Sequence, residues 1–83
     1  MFAVYILFSE KLDRYYVGHT HDLQQRLERH NQGRSLATRG GVPWKVVHTE
    51  TFATRSLAAR REREIKARKS VHYIRKLIAV LLV

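Results

Sequence analysis

The feature that most restricts this chain is an unbroken apolar run close to its start, Phe2-Ala3-Val4-Tyr5-Ile6-Leu7-Phe8. The run is rich in β-branched and aromatic residues and has no polar alternation, so it predicts a strand buried on both faces. It lacks a basic leader and meets Ser9-Glu10-Lys11 at once, which sets it apart from a signal peptide. A short polar stretch, Ser9 to Asp13, leads to a second strand, Arg14-Tyr15-Tyr16-Val17-Gly18-His19-Thr20, and the two should form a hairpin. With the turn centred between Glu10 and Lys11, Tyr5 falls opposite Tyr16. Directly opposite residues share a face, so two phenols would lie side by side, and a one-residue slip would separate them. Gly18 would leave that face uncovered, as where a backbone or ligand approaches closely. The simpler account from spacing alone is that both tyrosines are ordinary core aromatics.

The rest of the chain alternates in the same short units. Thr20 is placed to cap a helix from about His21 to His30, with Leu23 and Leu27 facing the core and Gly33 as a left-handed terminator. Arg34 to Pro43 reads as a basic loop, and Trp44 to Phe52 as a third strand with Pro43 tolerated at its start. Thr54 or Ser56 then caps a long basic helix reaching about Lys69, with Leu57, Ala58 and Ile65 inward. Ser70 caps a final helix whose apolar stripe is Val71, Ile74, Leu77, Ile78 and Leu81. The order β-β-α-β-α-α predicts an α/β fold of the α+β type, a three-stranded antiparallel sheet flanked by helices. A single domain spanning 1–83 is expected.

Charge points to a partner. Sixteen Lys and Arg against seven Asp and Glu give a net charge of +9 and a pI near 10.7. Nine of the sixteen cations lie between Arg55 and Lys76. So basic a small domain calls for a polyanion, and nucleic acid fits better than a membrane surface, since no large apolar face accompanies the cations. The apolar end, Leu77 to Val83, is far shorter than the roughly 20 residues of a membrane-spanning helix. It serves either as the plug of a small core in a monomer or as a weak homodimer contact. There is no cysteine, which removes disulfides and thiolate zinc sites and fits a reducing compartment, so a cytoplasmic bacterial protein is expected.

The residues able to carry chemistry are few. Arg26 and His30 stand at i,i+4 on one helix and can act on one spot, although a solvated helix face explains them as simply. Glu62 and Glu64 both flank the apolar arc of the second helix, and helical geometry does not choose between them. The chain has no paired-acid motif of the kind a two-metal nuclease uses. A hydrolytic metal site would rest on one glutamate, with water and substrate phosphate completing the shell, an arrangement that Mg²⁺ accepts.

Ala3-Val4-Tyr5, Tyr16-Val17-Gly18, Arg26, and Glu62 before Ile65-Lys66 together resemble the GIY-YIG nuclease domain. The runs Arg26-Leu27-Glu28-Arg29-His30-Asn31, Pro43-Trp44-Lys45 and Arg60-Arg61-Glu62-Arg63-Glu64-Ile65-Lys66 are similar to its short stand-alone bacterial members. Those in turn resemble the nuclease modules of the excision-repair incision subunit and of a structure-specific junction endonuclease. The match covers nearly the whole chain in order, with Ala3 in place of the motif's glycine. The resemblance implies a DNA endonuclease, with repair or recombination as its setting and one Mg²⁺ or Mn²⁺ as cofactor. A non-catalytic basic nucleic-acid-binding module that keeps the fold is the alternative. The implied catalytic set is Tyr5 and Tyr16 for the attacking water, Arg26 for the scissile phosphate, His30 as a proton shuttle and Glu62 as metal ligand. Glu62 is chosen over Glu64 because it stands three positions before Ile65. The expected nucleic-acid contacts are Gly18, His19, Arg34, Arg39, Lys45, Arg61 and Lys66, with the chemical role of His19 left open. A tyrosine base has an ordinary pKa near 10 and needs the arginine and the cation to favour its phenolate.

Overall fold

A computed structural model describes residues 1–80. Its elements follow the expected order, β1 (Phe2–Ser9), β2 (Arg14–Thr20), α1 (Leu23–Asn31), a short 3-10 turn (Arg39–Gly41), β3 (Trp44–Phe52), α2 (Arg55–Arg68) and α3 (Val71–Val80). The strands form one antiparallel sheet in the order β2-β1-β3. The apolar run is therefore the central strand, and central position is why neither of its faces carries polar residues. Its odd-numbered side chains, Tyr5 and Leu7, pack with Trp44, Leu23 and Leu27 on the α1 side. Its even-numbered side chains, Val4 and Ile6, pack with Val17, Ala58 and Ile65 on the α2 side.

The hairpin register differs from expectation. Ser9 pairs with Arg14, so the loop is Glu10 to Asp13, and Tyr5 lies opposite Gly18 while Tyr16 lies opposite Leu7. Asp13 takes a left-handed conformation, φ 52°, which Asp tolerates better than most residues. The Ser9 hydroxyl fixes the turn, accepting the Leu12 N–H at 3.2 Å and donating to the Gly41 carbonyl at 2.6 Å. The displacement preserves the two-residue period, so Tyr5 and Tyr16 still share a face as diagonal rather than direct neighbours.

Helix boundaries hold to within a residue or two, with different chemistry at one end. Asp22, not Thr20, caps α1 by accepting the Gln25 N–H at 3.0 Å, while Thr20 accepts the Asp22 N–H at 3.1 Å. A carboxylate at a helix start is favoured by both the orphan N–H groups and the macrodipole. Gly33 follows the helix with φ +72°, as its sequence position suggested. Thr54 caps α2, and Ser70 accepts the Tyr73 N–H at the start of α3. Two expected core residues are not core: Leu57 is 44% exposed and Val71 is 50% exposed. Leu57 lies off the packed stripe of α2, which its neighbour Ala58 and Ile65 form, and Val71 begins α3, which packs through Ile74 and Leu77. Leu81, the last residue of the expected stripe, lies outside the described residues, as do Leu82 and Val83.

Candidate active site

β2 is an edge strand; α2 packs on one of its faces, and on the other its Tyr16 lies against His30 of α1, with ring centroids 5.1 Å apart. From one face come Tyr5 and Tyr16, their ring centroids 6.5 Å apart. Gly18 makes their arrangement possible: a Cβ there would stand 2.5 Å from the Tyr5 hydroxyl. The uncovered patch expected over Gly18 is thus filled by the Tyr5 phenol, and Gly18 is buried rather than open to a ligand on that face. Tyr16 is half-buried at the rim.

Behind the phenols runs a buried polar chain. The Tyr5 hydroxyl bonds His30 Nε2 at 3.1 Å, and His30 Nδ1 bonds the Thr38 hydroxyl at 2.7 Å. Thr38 also accepts Trp44 Nε1–H on its carbonyl at 2.6 Å. His30 and Thr38 are 2% and 1% exposed. Burial, helped by Arg26 and Arg29, lowers the His30 pKa and keeps the ring neutral. A neutral imidazole has one donor and one acceptor, so the chain runs in a single sense. Either Tyr5 donates to Nε2 and Nδ1–H donates to Thr38, or Thr38 donates to Nδ1 and Nε2–H donates to the Tyr5 oxygen. His30, expected as a proton shuttle, thus contacts Tyr5 from inside the protein and links it to Thr38.

Burial also pushes Tyr5 up to about 12, with Tyr16 adding to the shift, Arg26 opposing it and Glu62 reinforcing it. Two things follow. Tyr5 stays protonated at neutral pH, which argues against its acting as a base. Arg26 and Glu62, from α1 and α2, both lie within electrostatic range of this phenol.

Glu62 is reached from the other face. Its Oε1 lies 2.7 Å from His19 Nδ1, and its Oε2 accepts from Lys66 Nζ at 2.6 Å. Burial works against the charge, but the bonds from Lys66 and His19 outweigh it and hold the carboxyl below its ordinary range. The Lys66 ammonium stands 5.9 Å from the centre of the Tyr16 ring, tying α2 to the phenols. Glu64, the other candidate, is mostly exposed and pairs with Arg60 and Arg61. The two glutamates thus differ in burial and partners, a difference the helical wheel does not show. Among the described residues no group of three or more His, Cys, Asp or Glu forms a metal cage.

The expected nucleic-acid contacts divide. His19 and Lys66 touch Glu62, while Arg34 and Arg39 are exposed near the end of α1. Lys45 lies by the hairpin turn, paired with Glu10 at 2.8 Å. Arg61 is corrected: its guanidinium grips both Glu50 oxygens, at 2.8 and 3.2 Å, and donates to the Tyr73 hydroxyl. His48 joins the same carboxylate at 2.7 Å. Arg61 therefore ties α2 and α3 to β3. Sequence reading passed over Thr38, whose partner lies eight residues away on a different element, and the clamp formed by Asn31. That side chain bonds both the N–H and the C=O of Trp44, at 2.6 and 3.0 Å, and joins the end of α1 to the start of β3.

Fold and residues together define a GIY-YIG domain. A family model described as the GIY-YIG catalytic domain matches residues 1–73, and the chain belongs to that family, which is one of endonucleases. It is 47% identical over 53 residues to a UPF0213 protein of Haloquadratum walsbyi, covering 63% of this chain and 60% of that protein. It is 36% identical over 63 residues to a UPF0213 protein of Bacillus velezensis, covering 71% of this chain and 64% of that one. The matched segments span less than two thirds of either relative. The solution NMR structure of a UPF0213 protein from Bacillus halodurans superposes with a TM-score of 0.60 at 32% identity, covering 96% of this chain and 85% of that one. Among the described residues no helix is long and apolar enough to cross a membrane.

Proposed function

We propose that this chain is a metal-dependent endonuclease that hydrolyses phosphodiester bonds of DNA. The observation that supports the reading is that Tyr16, Arg26 and Glu62, from three further elements, all lie near enough to the Tyr5 phenol to act on it electrostatically. Arg26 neutralises charge on the scissile phosphate, where a preformed cation is worth most in the transition state. Tyr16, the more accessible phenol, faces the attacking water and orients it. Tyr5 stays protonated, and with His30 and Thr38 behind it holds the geometry of the phenol pair.

The donor set fits a hard divalent cation. Glu62 is an ionised, 18% exposed carboxylate at the rim, and Mg²⁺ commonly binds through one or two carboxylates, keeping several waters and taking substrate phosphate. When bound, the cation would supply charge neutralisation at the phosphate and a more acidic water. Lys66 and His19 keep Glu62 ionised and would give up part of their contact to a bound cation.

One observation favours a second reading, a basic module that binds nucleic acid without cutting it. Both Glu62 oxygens already have cationic or hydrogen-bonding partners. The two readings separate on supercoiled and branched DNA with Mg²⁺ or Mn²⁺. Nicking by the wild type, lost in Glu62→Gln while binding persists, supports the endonuclease. Binding with no nicking under either metal leaves the binding module. A role in repair or recombination follows the family resemblance, and assay on branched against linear DNA tests it.

A further inference from the structure

We propose that a polar cleft on α1, beside the active site, seats a second, non-scissile phosphate of the strand being cut. The proposal rests on the reading of Arg26 as the scissile-phosphate contact. The cleft has a volume of about 320 Å³ and is lined by Gln25, Arg26, Glu28, Arg29, Gln32 and Arg34. Arg26 belongs to both sites, so whatever occupies the cleft is continuous with the chemistry. The backbone builds the far wall: Gly33 turns at φ +72°, and the Arg34 N–H donates back to the Arg29 carbonyl at 3.3 Å. That reversal returns the Arg34 side chain to the last turn of the helix it has just left.

The cleft carries more positive than negative charge. Among the described residues, Arg26, Arg29 and Arg34 form no ion pair with a carboxylate, a state they share with most cations of this basic chain; what sets them apart is that all three line one cleft. Glu28, the one acid in the lining, accepts from Gln24 at 3.1 Å. The helix dipole accounts for a cation in the last turn at Arg29, but not for Arg34 beyond it. Three guanidinium groups against one carboxylate leave the lining with an excess of positive charge, and an anion relieves the repulsion between them. Their planar forks suit the oxygens of a phosphate, and the amides of Gln25 and Gln32 add neutral donors. A phosphodiester neighbouring the scissile one is the ligand that reaches Arg26 and this cleft together.

The test uses the full chain in EDTA, so that cleavage plays no part, with a fluorescein-labelled DNA duplex followed by anisotropy across a salt series. The double variant Arg29→Gln/Arg34→Gln should bind about tenfold more weakly, the size expected from losing a charge-assisted bond. Its log affinity against log salt should flatten by about 1, since each neutralised duplex phosphate contributes roughly 0.9 to the slope. The control Arg63→Gln/Arg75→Gln removes the same charge from α2 and α3 and should change affinity less than twofold. Neutral methylphosphonates placed singly along the strand should locate one position at which the wild type binds no better than the variant. Equal weakening by both double variants would overturn the proposal and leave only general charge attraction. Inorganic phosphate displacing the duplex at equal phosphate concentration would make the cleft a free-anion site, which also overturns it. Failure to nick plasmid DNA would remove the endonuclease reading without altering any of these binding results.

Discussion

The two faces of the sheet are built from different chemistry. On the α2 side, the centre is aliphatic, Val4, Ile6, Val17, Ala58 and Ile65, and the polar groups stand at the margin as the Glu50–Arg61–His48 cluster. On the α1 side, the buried centre itself is polar-tipped: Tyr5, His30, Thr38 and Trp44 are joined by hydrogen bonds. Both faces carry groups able to hold or pass a proton near β2: the Tyr5–His30–Thr38 chain inside the core of the α1 side, and the partly exposed His19–Glu62 pair at the rim of the α2 side. A polar network in a core is costly unless every member is satisfied. The α1 side buries its polar network in the middle of the core, whereas the α2 side keeps an aliphatic centre and carries His19, Glu62 and Lys66 at its rim.

The largest expected effects separate the faces. Ile65→Ala should destabilise the fold by about 2–5 kcal/mol through the cavity it leaves, read by denaturant titration, while the folded fraction nicks DNA at the wild-type rate. Arg26→Ala should do the reverse, with stability within about 0.5 kcal/mol of wild type and turnover reduced roughly 10²–10³-fold, the size of losing one preorganised donor to a transition state. If Ile65→Ala slows turnover in proportion to its stability loss, the division of labour is wrong.

Gly18→Ala is next. The new methyl would meet the Tyr5 ring, and overpacking of this kind costs about 1–3 kcal/mol. Because the ring that must move is Tyr5, activity should fall along with melting temperature. Thr38→Val should cost about 1–3 kcal/mol by stranding the His30 nitrogen. Thr38→Ser, which keeps the hydroxyl, should restore most of the stability and turnover. Indistinguishable Val and Ser variants would show that Thr38 acts by shape alone.

The smallest effect is with pH. The folded His30 pKa lies below its ordinary value near 6.5, so between the two the unfolded chain binds the extra proton. That contribution to stability is complete above about 6.5 and is lost as pH falls toward the folded value. Glu50 and Glu62, both held low, add a second loss at more acidic pH, below the ordinary carboxylate range near 4.5. Thermal melts from pH 7.5 to 5.5 should therefore decline in the wild type and flatten in His30→Gln. An equal decline in both would place the titration elsewhere.

Most elements were legible in the sequence because their signals are local. The apolar run identified β1, alternation identified β3 at its observed limits, and capping residues placed α2 and α3 to within a residue. The motif residues identified the family for the same reason: Tyr5, Tyr16-Val17-Gly18, Arg26 and Glu62 are recognisable from order and spacing. The misplaced hairpin register shows the limit. Pattern fixes which face a residue takes, but the turn decides its partner, and here the Ser9 hydroxyl bonds Gly41 across 32 positions.

What the sequence alone determined was which segments become strands and helices and which residue types could do chemistry. Only the tertiary structure set Glu62 against His19 while leaving Glu64 exposed, turned His30 inward onto Thr38, committed Arg61 to Glu50 and brought Arg34 back beside the last turn of α1. The reason is range: propensity and periodicity act over a turn or two, whereas the His19–Glu62 contact closes across 43 residues. Whether a charge is paired, buried or free depends on which distant segment packs beside it.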